Sequence, residues 1–201
     1  MIPVLAVRDP AAGADFLCAR LGFAADAADP LRLSYGDQRL QLAQAGQPLP
    51  GLIALPFDHL ALRVPDPARV QAVAQGLGAR LHADFTPEGP LEIAEFGPSG
   101  VRYVFFQGPE GWPVEFCAPR RNAPDDLGHG HYGLRCADVA AMAQSLQAMG
   151  ASETSRHRLI PADAPPVEVM FLQLGSAVFE LFDAPPLAAS LPAAGWIGFL
   201  P

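Results

Sequence analysis

The stretch FDHLALRVPD, residues 57–66, carries the pattern that predicts the fold of this 201-residue chain. It reads as a short apolar strand that starts with a histidine, His59, and ends at an aspartate. The segment HYGLRCAD, residues 131–138, repeats this pattern with His131 in the same place, seven residues before the aspartate in both copies. A recurring unit of this kind predicts an architecture built from internal repeats.

Each of these strands is followed by a predicted helix. The aspartate is a natural N-cap, because its carboxylate accepts hydrogen bonds from the free N–H groups of the first helical turn. A glycine, which suits the left-handed position after a helix, follows 12 residues later. A further copy comes first in the chain: IPVLAVRD, residues 2–9, whose glycine follows after 13 residues. After each helix the hydrophobic pattern changes to the alternation of strands, so each unit is predicted to fold as β-α-β-β-β.

The predicted fold class is α+β, with three such βαβββ modules. The N-terminal module covers residues 1–46, the second 57–119 and the third 128–185. Linkers that contain proline and glycine separate them, and residues 186–201 form a C-terminal tail rich in proline and alanine.

The composition narrows the range of partners. Half of the residues are hydrophobic and only 17% are charged, as in ordinary globular proteins. The net charge of −8 argues against nucleic acid or an anionic membrane as a partner. Three cysteines without CxxC spacing favour a reducing compartment. With neither a signal-peptide pattern nor an apolar run long enough for a membrane span, a cytoplasmic protein is expected.

Two glutamates lie inside the last strands of the second and third modules, Glu115 in PVEFCAP and Glu180 in AVFELF. A carboxylate in an apolar strand is costly to bury unless a cation or another partner compensates its charge. Each of these modules therefore offers one imidazole and one carboxylate, the ligand types of Zn, Ni, Co, Mn and Fe(II). We predict one divalent-metal site formed by His59, Glu115, His131 and Glu180.

The first module lacks these ligands. Ile2 occupies the position of the histidine and Gln41 the position of the glutamate. This module is therefore predicted to cover a sheet edge, to form part of a pocket wall, or to pair with its counterpart in a homodimer.

The βαβββ units resemble the vicinal oxygen chelate superfamily, which includes glyoxalase I, methylmalonyl-CoA epimerase, extradiol dioxygenases and the bleomycin- and fosfomycin-resistance proteins. The resemblance rests on IPVLAVRDPAAGADFLCARLGF, DHLALRVPD and FFQGPEGWPVEF, and Gly108 stands where the family's turn motif has an aspartate. It implies that units pair side by side into cupped mixed sheets with helices on the outer face. The first-strand histidine and the last-strand glutamate of each unit would meet there at one metal.

The resemblance also implies a chemistry. Two histidines and two glutamates are similar to the glyoxalase I and epimerase branch, an isomerase, epimerase or lyase class. There the metal chelates vicinal oxygens of a small 2-oxo or 2-hydroxy substrate, and a carboxylate shifts a proton through an enediolate. Glu115 or Glu180 would be both ligand and catalytic base. One alternative is a non-haem Fe(II) ring-cleaving dioxygenase with two histidines and one glutamate; another is a non-catalytic protein that binds an antibiotic-type molecule. Whether glutathione is used stays open.

Other side chains are candidate substrate contacts. Arg63 and Arg135 each lie four residues after a ligand histidine, on the same face of a regular strand. Arg102 can meet an anionic substrate group if it faces the cup, and Trp112 can supply an apolar wall. His129, two residues before the second ligand histidine, is predicted on the same face and could replace it as a ligand or support it.

Overall fold

The structure is a computed structural model that describes residues 2–46, 55–161, 165–183 and 196–200. The first part of the chain forms β1 (Ile2–Val7), α1 (Pro10–Leu21), β2 (Ala24–Ala25), β3 (Arg32–Tyr35) and β4 (Gln38–Gln44). The middle part forms β5 (Leu55–Pro56), β6 (His59–Arg63), α2 (Pro67–Gly76), β7 (Leu91–Ile93), β8 (Val101–Gln107), a 3₁₀ turn (Pro109–Gly111) and β9 (Pro113–Pro119). The last part forms β10 (Gly128–Arg135), α3 (Val139–Ala148), β11 (Ser152–Leu159), β12 (Val167–Leu174), β13 (Ala177–Phe182) and β14 (Trp196–Leu200).

The three helices begin where the sequence predicted. The side chains of Asp9, Asp66 and Asp138 accept hydrogen bonds from backbone N–H groups two or three residues further along the chain. This satisfies donors that a helix N-terminus otherwise leaves free. Gly22 ends α1 with a φ of 78°, the left-handed conformation that the sequence pattern predicts after the helix. None of the described helices is long and apolar enough to cross a membrane.

An eight-stranded mixed sheet dominates the fold. Its strand order is β11-β12-β13-β10-β6-β9-β8-β7. The first strands of the two ligand-bearing modules, β6 and β10, are antiparallel neighbours at its centre. Each is flanked on its outer side by the last strand of its own module, β9 and β13, in parallel register. The strands predicted to carry the metal ligands are thus four consecutive strands of one sheet.

The two faces of this sheet differ in what covers them. In β8, Val104 and Phe106 belong to the main buried cluster, while the alternate residues Tyr103 and Phe105 line an open cavity. Helix α2 packs against β8 and β9, and α3 packs against β12 and β13. Ala74 of α2 lies in the same buried cluster as Val104 and Phe106. The helices therefore cover the outer face and the cavity occupies the inner face, which confirms the predicted α+β class with cupped mixed sheets.

A second sheet of six strands has the order β2-β3-β4-β1-β14-β5. The C-terminal tail contributes to it, because residues 196–200 form β14 between β1 and β5. Composition gave no sign of this strand, and the rest of the tail to residue 195 lies outside the described residues. The sheet shares a continuous core with the outer face of the larger one, where the rings of Tyr35 and Phe116 meet edge to face at 5.8 Å.

The order of strand, helix and further strands recurs in all three segments, while their division into three modules stays an interpretation of the sequence. So does pairing of the first module in a homodimer. The β-α-β-β-β order predicts a strand directly after α2, near residues 80–85, but the structure has only one bridge there, between Leu81 and Phe106. The chain turns there instead, with the N–H groups of Phe85 and Thr86 donating to the carbonyl of His82.

Candidate metal centre

The four predicted ligands meet at one point on the inner face of the large sheet. The Nε2 atoms of His59 and His131 lie 3.1 Å apart. Oε2 of Glu180 is 3.3 Å from the first nitrogen and 3.2 Å from the second. Oε2 of Glu115 is 3.4 and 3.3 Å from the same two atoms. All four side chains are buried.

Strand register places two of the ligands, His131 and Glu115, on either side of Ala61. This residue of β6 pairs with His131 on β10 and with Glu115 on β9. Laterally paired residues project from the same face of a sheet, so the two ligands flank the small side chain of Ala61 on that face.

The other half of the arrangement is equivalent and is centred on Gly133. This residue of β10 pairs with His59 on β6 and with Glu180 on β13. A Cβ atom at Gly133 would lie 2.6 Å from Nε2 of His59 and closer still to Cε1 and Nδ1. The His59 ring therefore occupies the space that a side chain at Gly133 would need.

The donor spacing fits a single divalent ion. Donor atoms 3.1–3.4 Å apart have the spacing expected of neighbouring ligands of one zinc-sized ion, whose metal–ligand distances are about 2.0–2.3 Å. His59, His131 and Glu180 form a set whose donor atoms all lie within 4.8 Å of one another, and Glu115 reaches the same nitrogens with its Oε2. Two imidazoles and two carboxylates are also the donor types such ions prefer.

Without a metal, protons balance the charge in this site. Burial favours the neutral form of His131, but the charges and hydrogen bonds of Glu180 and Glu115 outweigh it and raise the pKa to about 9. Burial likewise opposes a charge on His59, and its carboxylate partners raise its pKa well above the usual value. The pKa values of Glu115 and Glu180 are lowered, because the adjacent imidazolium groups outweigh the effect of burial. Positive charge is thus required where the four donors converge, and a metal ion can supply it.

Asp58 supports the site although sequence reasoning missed it. Its Oδ1 accepts a hydrogen bond from Nδ1 of His59 at 2.9 Å, and its Oδ2 accepts one from Nε of Arg135, also at 2.9 Å. Only 3% of Asp58 is exposed. A proton fixed on Nδ1 leaves Nε2 free to bind a metal and holds the ring in place, the usual role of a carboxylate behind a ligating histidine.

Replacing Asp58 with asparagine should lower metal affinity about 10- to 100-fold, because the amide cannot carry the charge that orients and polarises His59. The variant should also lose about 3 kcal/mol of stability, since the largely buried Arg135 no longer pairs with a carboxylate at this position. Competitive metal titration and thermal unfolding measure the two effects. Asp126→Asn is the matched control, because Asp126 also pairs with an arginine but is exposed. Full metal affinity in the Asp58 variant would contradict the supporting role.

The predicted substrate contacts do not line the inner cavity. Arg135 is held by Asp58 with its guanidinium 5.0 Å from the centre of the Phe182 ring. Arg102 is half exposed and pairs with Glu92. Trp112 is only 2% exposed and packs in the main core.

Arg63 likewise lies outside the cavity lining. It bonds Asp37, Asp126 and the carbonyl of His129. Four residues along a strand cover about 13 Å, so an arginine on the same face as a ligand histidine can still lie beyond the cup.

His129 lies apart from the metal donors because the strand is irregular. It pairs with Leu62, and His131 pairs with the adjacent Ala61, so the register shifts between them by a bulge at Gly130. Adjacent residues of a strand face opposite sides, and the two histidines therefore do so as well. Nδ1 of His129 lies 2.7 Å from the side-chain oxygen of Gln38, and its Nε2 accepts from the N–H of Val178 at 2.9 Å. Burial lowers its pKa to about 4.

A cavity of about 630 Å³ opens directly above the four ligands. Aromatic side chains surround the two imidazoles: the ring centre of Phe105 is 5.2 Å from that of His59, and the ring centre of Phe171 is 5.6 Å from that of His131. Phe96, on the loop after β7, contacts Phe171 at 5.3 Å, so opposite ends of the sheet meet across the cup. The site is a polar floor beneath a largely apolar chamber of a size typical for small molecules.

Comparison with known proteins supports the fold. No protein-family model matches the sequence, and no curated protein matches it significantly. Among solved structures, glyoxalase I from Zea mays matches with a TM-score of 0.61 and 17% identity over 90% of this chain and 65% of that one. A variant of 4-hydroxymandelate synthase from Streptomyces coelicolor has a TM-score of 0.53 and 14% identity, covering 93% of this chain and 71% of that one. A putative dioxygenase from Bacillus subtilis has a TM-score of 0.51 and 17% identity, covering 97% and 64%.

At 14–17% sequence identity, these structures share their fold with this chain. The chain spans about two thirds of the length of the maize glyoxalase I it matches. The solved structures confirm the fold that the resemblance in the sequence implied.

Proposed function

We propose that this chain is a metal-dependent enzyme of the glyoxalase type that moves a proton next to a carbonyl in a small 2-oxo or 2-hydroxy compound. The observation that carries the proposal is the convergence of His59, His131, Glu115 and Glu180, with five donor–donor distances of 3.1–3.4 Å, on the floor of a cavity. The fold shared with glyoxalase I from Zea mays supports it.

A bound divalent ion would act as a Lewis acid on two adjacent substrate oxygens. It would thereby acidify the proton on the hydroxyl-bearing carbon next to the carbonyl. Glu115 and Glu180 line the floor of the cavity, next to the place where the two oxygens would bind. Either carboxylate can therefore accept that proton and return it on the neighbouring carbon. Asp58 keeps His59 oriented, and the aromatic walls keep water away from the reacting carbon.

Tyr103 adds a hydrogen-bond donor to the cavity wall. Burial, together with the charges of Glu115 and Glu180, raises its pKa to about 12. Its hydroxyl group therefore stays protonated at neutral pH and can donate to a substrate oxygen.

Proton exchange with solvent tests the proposed function. Metal-loaded protein in D₂O should exchange the carbon-bound proton of 2-hydroxyacetophenone or hydroxyacetone at least 100-fold faster than metal-stripped protein, followed by NMR. His129→Ala should exchange as fast as the wild type, since His129 is not among the donors. Equal rates with and without metal on both compounds would contradict proton transfer at this site.

Metal affinity should depend on pH with a defined sign. The pKa of His131 is raised to about 9 in the metal-free site, and metal binds only the deprotonated ring. Binding below pH 9 therefore releases a proton, and affinity should rise about tenfold per pH unit for each proton released between about pH 6.5 and 9. Calorimetry in buffers of different ionisation heat measures both quantities.

The stability of the metal-free protein should change in the opposite direction. A raised pKa in the folded state stabilises the protein fully below the unfolded value of about 6.5, and this contribution is lost as the pH rises through about 9. The thermal unfolding midpoint of the stripped protein should therefore fall over this range, and the increase produced by added metal should grow. Metal affinity that stays flat from pH 7 to 9 would show that His131 is not protonated in the empty site.

A second candidate function has one specific observation in its favour. His59, His131 and Glu180 form the tightest donor set, and two histidines with one carboxylate are the ligands of many non-haem iron oxygenases. Oxygen-electrode measurements on protein loaded anaerobically with Fe²⁺ discriminate the two. Uptake of dioxygen with a catechol would select the oxygenase, and exchange of the carbon-bound proton without uptake would select the proton-transfer enzyme.

A further inference from the structure

We propose that the substrate of this site is charged only at its metal-binding end and carries an uncharged aromatic body. The inference rests on the proposed function, since it takes the four-ligand centre as the place where two adjacent substrate oxygens bind. It concerns the rest of the molecule, which must occupy the cavity above the metal.

Aromatic side chains form the walls next to the ligands. Phe105 and Phe171 stand edge-on to the two ligand imidazoles, and Phe182 lies 5.9 Å from His59 between its ring centres. Phe85 stacks on Phe105 at 4.5 Å and extends this wall. Rings at such distances prefer stacked and edge-to-face partners, so a planar aromatic group entering between these walls finds suitable contacts on several sides.

No permanently charged cation lines the described part of the cavity to receive a second anionic group. Among the described residues that line it, there is neither an arginine nor an aspartate, and the chain contains no lysine. Arginines on the same sheet and its connecting loops are bound to carboxylates: Arg63 to Asp37 and Asp126, Arg102 and Arg120 to Glu92, and Arg135 to Asp58. A carboxylate or phosphate remote from the metal would lose its hydration without a partner.

The two carboxylates in the floor strengthen this exclusion. Glu115 and Glu180 are buried at the floor of a chamber of low polarity, where like charges repel over longer distances than in water. Their two carboxylates balance the charge of one divalent ion, so no positive charge remains for a second anionic group. An oxygen pair on the metal offsets its own charge there, but a second anionic group has nothing to offset it. Substrates carrying a charged conjugate, such as a tripeptide or a phosphate, are therefore disfavoured.

Hydrogen-bonding groups are available on one wall. Thr154, Ser155 and His157 on β11 line the cavity together with Leu159 of the same strand. The ring of His157 lies 5.0 Å from that of Phe96, at the place where the two ends of the sheet meet. A hydroxyl or carbonyl substituent on the aromatic body can bind here at little cost.

Three hydroxamates with the same chelating head test the proposal on metal-loaded protein. Acetohydroxamate has an aliphatic body, benzohydroxamate an aromatic one, and 4-carboxybenzohydroxamate an aromatic body with a remote charge. We expect benzohydroxamate to bind at least tenfold more tightly than either of the others, measured by calorimetry. A 4-carboxy compound that binds as tightly as benzohydroxamate overturns the charge exclusion, and an aliphatic compound that binds as tightly overturns the aromatic body.

A charge introduced into the cavity wall provides the converse measurement. Ser155→Arg places a cation on β11, a partly exposed position, and should tighten binding of 4-carboxybenzohydroxamate at least tenfold while changing that of benzohydroxamate less than threefold. Ser155→Gln, which adds length without charge, should gain nothing. If Ser155→Arg does not improve binding of the carboxylate, the cavity is not where the body lies. Failure of the proposed function appears separately, as absence of metal uptake or of proton exchange.

Discussion

Replacing Glu180 with glutamine, or His59 with alanine, should reduce metal affinity on the order of a thousandfold. Loss of a directly bound donor exceeds the 10- to 100-fold effect usual for a supporting residue. The Nε2 of His59 touches all three other donors at 3.1–3.4 Å, so its removal opens one whole side of the site. Glutamine keeps the size of Glu180 but removes the negative charge that a divalent ion requires.

Elemental analysis and competitive titration measure this effect directly. The purified wild type should hold one divalent ion per chain, and both variants should hold none after dialysis. His129→Ala and Glu168→Gln are matched controls, because the same residue types are changed outside the donor set: His129 bonds Gln38, and Glu168 pairs with Arg158 at the surface. Retention of stoichiometric metal by both ligand variants would refute the assignment.

The ligands could be predicted from the sequence because they recur. His59 and His131 hold the same place in two copies of one pattern, and a buried carboxylate in each last strand requires a compensating charge. Asp58 has no such counterpart, since Gly130 precedes the other histidine. A comparison of the repeats therefore could not find Asp58. Its position next to a ligand histidine was the one signal in the sequence, because a carboxylate commonly supports a ligating histidine.

Strand alternation was a less dependable guide. It placed His129 on the ligand face, but the bulge at Gly130 shifts the register and reverses the side. Alternation places Arg63 and Arg135 on the face of the ligand histidines, but it does not give their distance from the metal ligands. Pairing of residues 196–200 with β1 joins the two ends of the chain, and no local pattern reports such a contact.

The pairing register of β6 and β10 reveals a second regularity, in the residues opposite the two ligand histidines. Each ligand histidine is followed two positions later by a small residue, Ala61 after His59 and Gly133 after His131. Because β6 and β10 are antiparallel, each small residue lies opposite the histidine of the other strand. The small residue of one module thus makes room for the imidazole of the other, so the spacing histidine–x–small belongs to the site as much as the ligands do.

Gly133→Ala should consequently abolish metal binding without changing any donor. The added methyl group would overlap the imidazole of His59, its Nε2 at 2.6 Å and two further ring atoms closer, so the ring must turn away from Glu180 and Asp58. Forcing extra volume into a packed site costs about 1–3 kcal/mol, and the displaced Nε2 should lower metal affinity at least 100-fold. Thermal unfolding and metal titration measure the two consequences.

Two further variants separate the steric cause from general damage. Gly76→Ala adds the same methyl group at the end of α2, where no atom lies within 4 Å; it should leave metal affinity at the wild-type value and raise stability by up to about 1 kcal/mol. In the His59→Gly background the ring that the methyl group strikes is absent, so adding Gly133→Ala should cost no further stability; this double-mutant cycle isolates the clash, and neither His59→Gly variant should bind metal. If Gly133→Ala alone retains the affinity of the wild type, the ring is not held in place by the missing side chain, and the small residues opposite the two histidines have no part in forming the site.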